Sequence, residues 1–122
     1  MSLTFSTYRR DGAKYISVLT DHEDCDLSLS NDNGRDVLQA LGIEDICCEW
    51  PISCFRSVLT VARRKRLGHR SPEIPVSADR KPGRMLIIDC GRTEGYIERR
   101  LEDLSMLVNR ALAAGATHVA WS

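Results

Sequence analysis

Long apolar runs are missing from this chain. None approaches the roughly 20 residues needed to cross a bilayer, so no membrane-spanning helix is expected. An excess of one charge is missing too. Seventeen Lys and Arg balance 17 Asp and Glu, which removes any global pull toward nucleic acid, a membrane surface or acidic substrates. Metal patterns are absent. There is no Cys-x-x-Cys and no His-x-x-x-His, and the one short-range pair, His22 with Cys25, lacks a second pair. Cys47 and Cys48 are neighbours, which a strand points to opposite faces. Structural zinc needs about four ligands in closely spaced pairs. A calcium loop with Gly34 at its sixth position begins at Leu29 and closes at Ala40, and neither side chain can ligate. The reading is therefore no metal and no cofactor. The Gly91–Gly95 stretch "GRTEG" lacks the Lys-Ser or Lys-Thr of a phosphate-cradling loop.

What is present fits one domain spanning residues 1–122. A chain of this size buries about two-thirds of its unfolded surface, so a core forms without disulfides. The 43% hydrophobic and 28% charged fractions are those of ordinary globular proteins. The five cysteines are odd in number and show no framework spacing. "MSLTFSTYRRDG" lacks the apolar core and small-residue cleavage site of an export signal, so reduced thiols in a cytoplasm are expected.

The charge balance hides two opposed stretches. Asp21 to Glu49 holds nine acids against one base, Arg35. Arg63 to Arg84 holds eight bases against two acids, Glu73 and Asp79. Such lobes either face each other or solvate two surfaces. The sharper alternative is self-association, or a basic face for an anionic partner.

Periodicity predicts an α+β fold with a mixed β-sheet and about three helices. "TFSTYRRDGAKYISVLT" reads as a hairpin turning at Asp11-Gly12. "CDLSLS" reads as a strand with Leu27 and Leu29 on one face. Ser30 or Asn31 then caps a helix, Asp32 suits its first turn, and Gly42 ends it. Gly34 inside that helix costs about 1 kcal/mol relative to alanine, and nothing in the sequence accounts for it. "IEDICCEW" reads as a short strand. After Trp50-Pro51, the residues Ile52, Phe55, Leu59 and Ala62 form one helical stripe ending near Leu67-Gly68 in basic residues that suit a helix C-terminus. Residues 68–83 read as a long irregular basic loop with three prolines, a length associated with function or disorder. "RMLIIDC" reads as a buried strand. Thr93 is placed to cap a helix from about Glu94 to Ala114, with Arg99 and Asp103 pairing on its outside. "THVAW" closes the chain. This strand–helix–strand unit predicts a right-handed crossover between parallel strands.

Few side chains look chemical. Cys90 is the best candidate nucleophile, at a strand end before a helix, where ligands gather and thiol pKa falls. Asp89 and Arg92 flank it, and His118 is a candidate neighbour from an adjacent strand. A phosphatase loop would require arginine where Tyr96 stands. The ordinary alternative for Cys90 is a small buried hydrophobe. Arg63, Arg64, Lys65, Arg66 and Arg70 are candidates for anion or nucleic-acid binding. They lack the interleaved aromatics of single-strand platforms and a second recognition helix, so a solvated helix end is favoured. Trp50 and Trp121 read as core residues.

"LSLSNDNGRDVLQALGI" and "DCGRTEGYIERRLEDLSMLVNRALAAGATHVAW" together resemble small bacterial and phage-associated proteins. These share a capped Leu-Gly helix and a Gly-Arg…Gly-Tyr approach to a long final helix. The resemblance covers about half the chain. It implies a bacterial cytoplasmic setting and carries over no site residues. The expected function is that of a non-catalytic accessory protein with a protein partner or self-association. The alternatives are a small enzyme centred on Cys90 and nucleic-acid binding through residues 63–84.

Overall fold

The computed structural model describes residues 2–19, 26–68, 70–73 and 93–122 in full, and the backbone of 77–79 and 87–89. The elements run β1 (Ser2–Asp11), β2 (Lys14–Ile16), β3 (Asp26–Ser30), α1 (Asn31–Leu41), β4 (Cys48–Pro51), α2 (Ile52–Lys65), β5 (Ser77–Asp79), β6 (Ile87–Asp89), α3 (Tyr96–Ala113) and β7 (His118–Trp121).

The α+β class and the three helices are as the periodicity predicts. Strand β1 organises the sheet. It pairs with β2 at residues 9–11, with β3 at residues 2–6 and with β7 at residues 5–8. β7 pairs in turn with β4. Gly12, at φ 61°, makes the hairpin turn with a backbone only glycine adopts freely. Alternation along β1 buries Leu3, Phe5 and Thr7. Leu29, Val119 and Trp121 share that buried face, and the helices pack on it through Val37, Phe55, Leu59 and Leu104.

The expected parallel pair is not formed. Every strand pairing among the described residues is antiparallel, and β6 pairs with β5, in a separate two-stranded sheet. β7 instead lies between β1 and β4, which places Trp121 opposite both Phe5 and Cys48. The physical reason is aromatic packing. Trp121 lies 5.4 Å from Trp50, 5.6 Å from Phe55 and 6.2 Å from Phe5, ring centre to ring centre. Its indole N–H donates to the Asp45 carbonyl at 2.8 Å. The 68–83 stretch is not wholly irregular either, because it contains β5.

Helix α1 starts and stops as the sequence indicates. The Ser30 hydroxyl accepts from the Asn33 N–H, and Gly42 closes the helix at φ 76°. Gly34 now has a reason. A Cβ there would stand 2.6 Å from Cβ of Leu3, so glycine lets α1 lie directly on β1.

Helix α3 begins differently from the expectation. Its N-cap is Gly95, with no side-chain cap. Thr93 offers its backbone carbonyl to Tyr96 N–H while its hydroxyl bonds Arg99. Arg99 therefore does not make the expected pair with Asp103, which Arg100 contacts instead at 3.2 Å. The capping role passes to Ser71, 26 residues before Ile97 in the chain. Its carbonyl accepts from Gly95 N–H at 2.9 Å and its hydroxyl accepts from Ile97 N–H at 3.1 Å. Among the described residues no helix is long and apolar enough to cross a membrane.

Candidate functional site

Two clusters of polar side chains stand out, on opposite sides of the sheet. The first lies where α2 ends and α3 begins, and it contains the five basic residues singled out above. The structure divides them. Arg66 pairs with Glu98 at 3.3 Å, and Arg63 donates to the Ser105 hydroxyl at 3.0 Å. Arg64, Lys65 and Arg70 are exposed. On one side of the Arg66–Glu98 pair is a cleft of about 710 Å³ lined by Lys65, Arg66, Arg70 and Asp36. On the other side is one of about 400 Å³ lined by Arg63, Arg64 and Glu102. Each cleft mixes both signs, so these residues do not make one continuous phosphate-tracking groove. Arg63, Arg64 and Lys65 also occupy the last turn of α2, where positive charge meets the negative end of the helix dipole.

Glu98 is the most constrained titratable group here. Burial alone would raise its pKa. Hydrogen bonds from its own N–H and from the Ser71 hydroxyl and backbone, with the Arg66 charge beside it, hold it below the ordinary value instead. The Ser71 hydroxyl donates to Glu98 at 2.8 Å. Ser71 and Glu98 thus act as a clamp that joins the 70–73 segment to the start of α3.

The second cluster lies on the face of the sheet turned away from the core. Tyr8, Arg10, Tyr15, Glu49 and His118 reach it because alternation sends them opposite to Phe5, Trp50 and Val119. The rings of Tyr8 and His118 stack at 5.8 Å, nearly parallel at 8°. Tyr15 meets Tyr8 edge-on at 5.1 Å, and the Arg10 guanidinium lies 5.9 Å from the Tyr15 ring centre. The Arg10 N–H donates to the Thr117 hydroxyl at 2.8 Å, and that hydroxyl is 2.8 Å from His118 Nδ1. The direction of this bond follows the imidazole tautomer, since the threonine oxygen can accept twice. His118 Nε2 lies 3.9 Å from the Glu49 carboxylate. Burial of the Tyr8 hydroxyl, with the Glu49 carboxylate close by, raises its pKa well above the usual phenol value.

No protein-family model matches the chain, and no curated protein and no solved structure matches it. Chemistry must therefore be judged on geometry alone. The Thr117–His118–Glu49 series resembles a proton relay. Yet Thr117, Arg10 and Tyr15 are exposed, and the four clefts with defined linings are all formed by the helices and their adjoining loops. The arrangement fixes a polar–aromatic surface, and none of its side chains lines these four clefts.

Of the predicted Cys90 site, Cys90 and Arg92 lie outside the described residues, and only the backbone of Asp89 is described. His118 is on β7, whose partners are β1 and β4, while Asp89 ends β6, which pairs with β5. His22 and Cys25 are also outside the described residues. Among the described residues no group of three His, Cys, Asp or Glu is arranged to hold a metal. Sequence reasoning missed Tyr8, Arg10, Glu49 and Thr117. The even positions of β1 could have indicated the first two, but nothing in the chain links them to Glu49.

Proposed function

We propose that this chain is a non-catalytic interaction protein of a bacterial cytoplasm, which holds a protein partner by complementary charge. One observation carries the reading. Charge is separated along α2. Glu44 and Asp45, both exposed, precede its first residue, Ile52, while Arg63, Arg64 and Lys65 form its last turn. The fourteen residues of α2 span about 21 Å, well beyond the Debye length of about 8 Å at physiological salt. Each pole therefore acts on a partner as a separate patch. The free thiols of Cys47, Cys48 and Cys54 support a reducing compartment.

The test is native mass spectrometry of the untagged full chain, with sedimentation velocity in parallel at about 0.1 M and about 1 M salt. The expected result is an added protein mass at low ionic strength that is lost at high ionic strength. A bare monomer under all conditions would overturn the reading, and so would an association indifferent to salt.

A further inference from the structure

The larger cleft beside the Arg66–Glu98 pair is built from four parts of the chain. Helix α1 gives Asp36, the end of α2 gives Lys65 and Arg66, the segment after it gives Arg70, and the start of α3 gives Glu98. Its volume of about 710 Å³ is that of a small-molecule site.

The charges in this cleft are unevenly matched. Three cations face two carboxylates, which leaves one net positive charge. The carboxylates are also the engaged members. Glu98 is held by Arg66 at 3.3 Å and by the Ser71 hydroxyl at 2.8 Å, and Asp36 has a partner of its own. Among the described residues Lys65 and Arg70 make no ion pair. Glu73, the next acid along the chain, lines none of the four clefts with defined linings.

Both of these cations start from anchored backbone. Ser71, 7% exposed, is hydrogen-bonded to Gly95, Ile97 and Glu98, so the chain beside Arg70 is tied to α3. Lys65 is in the last turn of α2, and its neighbour Arg66 is tied to Glu98. Holding an anion here therefore costs the ordering of side chains and not of backbone. The helix ends roughly cancel, since the C-terminal end of α2 opposes an anion and the N-terminal end of α3 favours one.

We propose that this cleft binds a small phosphate monoester, with its phosphate between Lys65 and Arg70 and its organic part toward Ala40 and Pro72. Arginine offers a fork of donors that fits two phosphate oxygens, and lysine offers a compact charge for a third. A dianion matches the two cations, whereas a monoanion leaves one of them unmatched. The cleft is also wider than a phosphate ion needs, and Ala40 and Pro72 in its lining give an organic group apolar surface. This site is independent of the association reading, because it takes a small molecule and is measured on the chain alone.

The test is titration of the full chain with phenyl phosphate, followed by amide NMR at an ionic strength held constant with sodium chloride. Saturable shifts should centre on the amides of Lys65, Arg66, Arg70 and Ser71. Benzenesulfonate, a monoanion of similar shape, should bind at least about tenfold more weakly. Lys65→Ala and Arg70→Ala, both at exposed positions, should each weaken binding of phenyl phosphate about tenfold, with thermal melts showing that they fold. Arg64→Ala removes an exposed cation that lines the other cleft and should leave the affinity unchanged. Shifts that do not saturate would overturn the proposal, and so would benzenesulfonate bound as tightly as phenyl phosphate. A loss in Arg64→Ala as large as in Lys65→Ala would also overturn it, because the anion would then be answering only the general field of the helix end.

Discussion

At the scale of single residues, the fold depends on a few positions where the common choice of amino acid is wrong. Gly34 is the clearest. Helix propensity alone favours alanine there by about 1 kcal/mol. The contact between α1 and β1 reverses that preference, because the added methyl would meet Leu3 at 2.6 Å. Leu3 cannot retreat easily, since it is 5% exposed and part of the core. Overpacking of this kind costs about 1–3 kcal/mol. Gly34→Ala should therefore lower the urea midpoint at unchanged m-value. A variant more stable than the parent would mean that the helix does not lie so close to the strand. The sequence exposes Gly34 as an anomaly but cannot name its cause, because Leu3 is 31 positions away.

At the scale of elements, legibility followed the range of the interactions. The start and end of α1 could be read because Ser30, Asn33 and Gly42 are local to the helix. The buried stripe of α2 could be read because Ile52, Phe55, Leu59 and Ala62 repeat at its own period. The start of α3 could not, because its cap comes from Ser71 across an intervening pair of strands. Thr93 satisfied the local rule, and a distant residue took the role. The sheet neighbours of β7 were equally hidden. An apolar run reports burial, not which strand lies beside it, and the polar network of Tyr8, Glu49 and His118 inherits that ambiguity. The Ser71 clamp is testable. Ser71→Ala leaves the buried Ile97 N–H without its acceptor and removes a donor to Glu98, a loss of about 1–3 kcal/mol. Glu98 adds a pH signature. Its folded pKa lies below the ordinary carboxylate value of 4.5. Its contribution is thus complete above 4.5 and is lost as pH falls through the folded value. Glu98→Gln should lose stability at neutral pH, and the gap from the parent should narrow below pH 4.5. A gap constant with pH would mean that the carboxylate's charge plays no part in the clamp.

At the scale of the whole molecule, the last strand in the chain occupies an inner position in the sheet. β7 separates β1 from β4, and among the described residues β4 has no other strand partner. Val119 and Trp121 are 1% and 2% exposed and reach both the sheet and α2. The core thus closes only when the two ends of the chain meet, through pairs such as Phe5 with Trp121. Removing a buried aromatic costs about 3–5 kcal/mol, against a typical total of about 5–15 kcal/mol for a domain. Loss of the whole strand also strips β4 of its ladder and uncovers Phe5 and Phe55. Ending the chain after Thr117 should therefore abolish cooperative unfolding and leave helical signal in a loosely packed state that binds hydrophobic dye. A far-UV melt alongside dye fluorescence distinguishes the outcomes. A sharp transition near the parent's would mean that β1 and β4 close on each other without β7, and that the core is assembled from the helices rather than across the sheet.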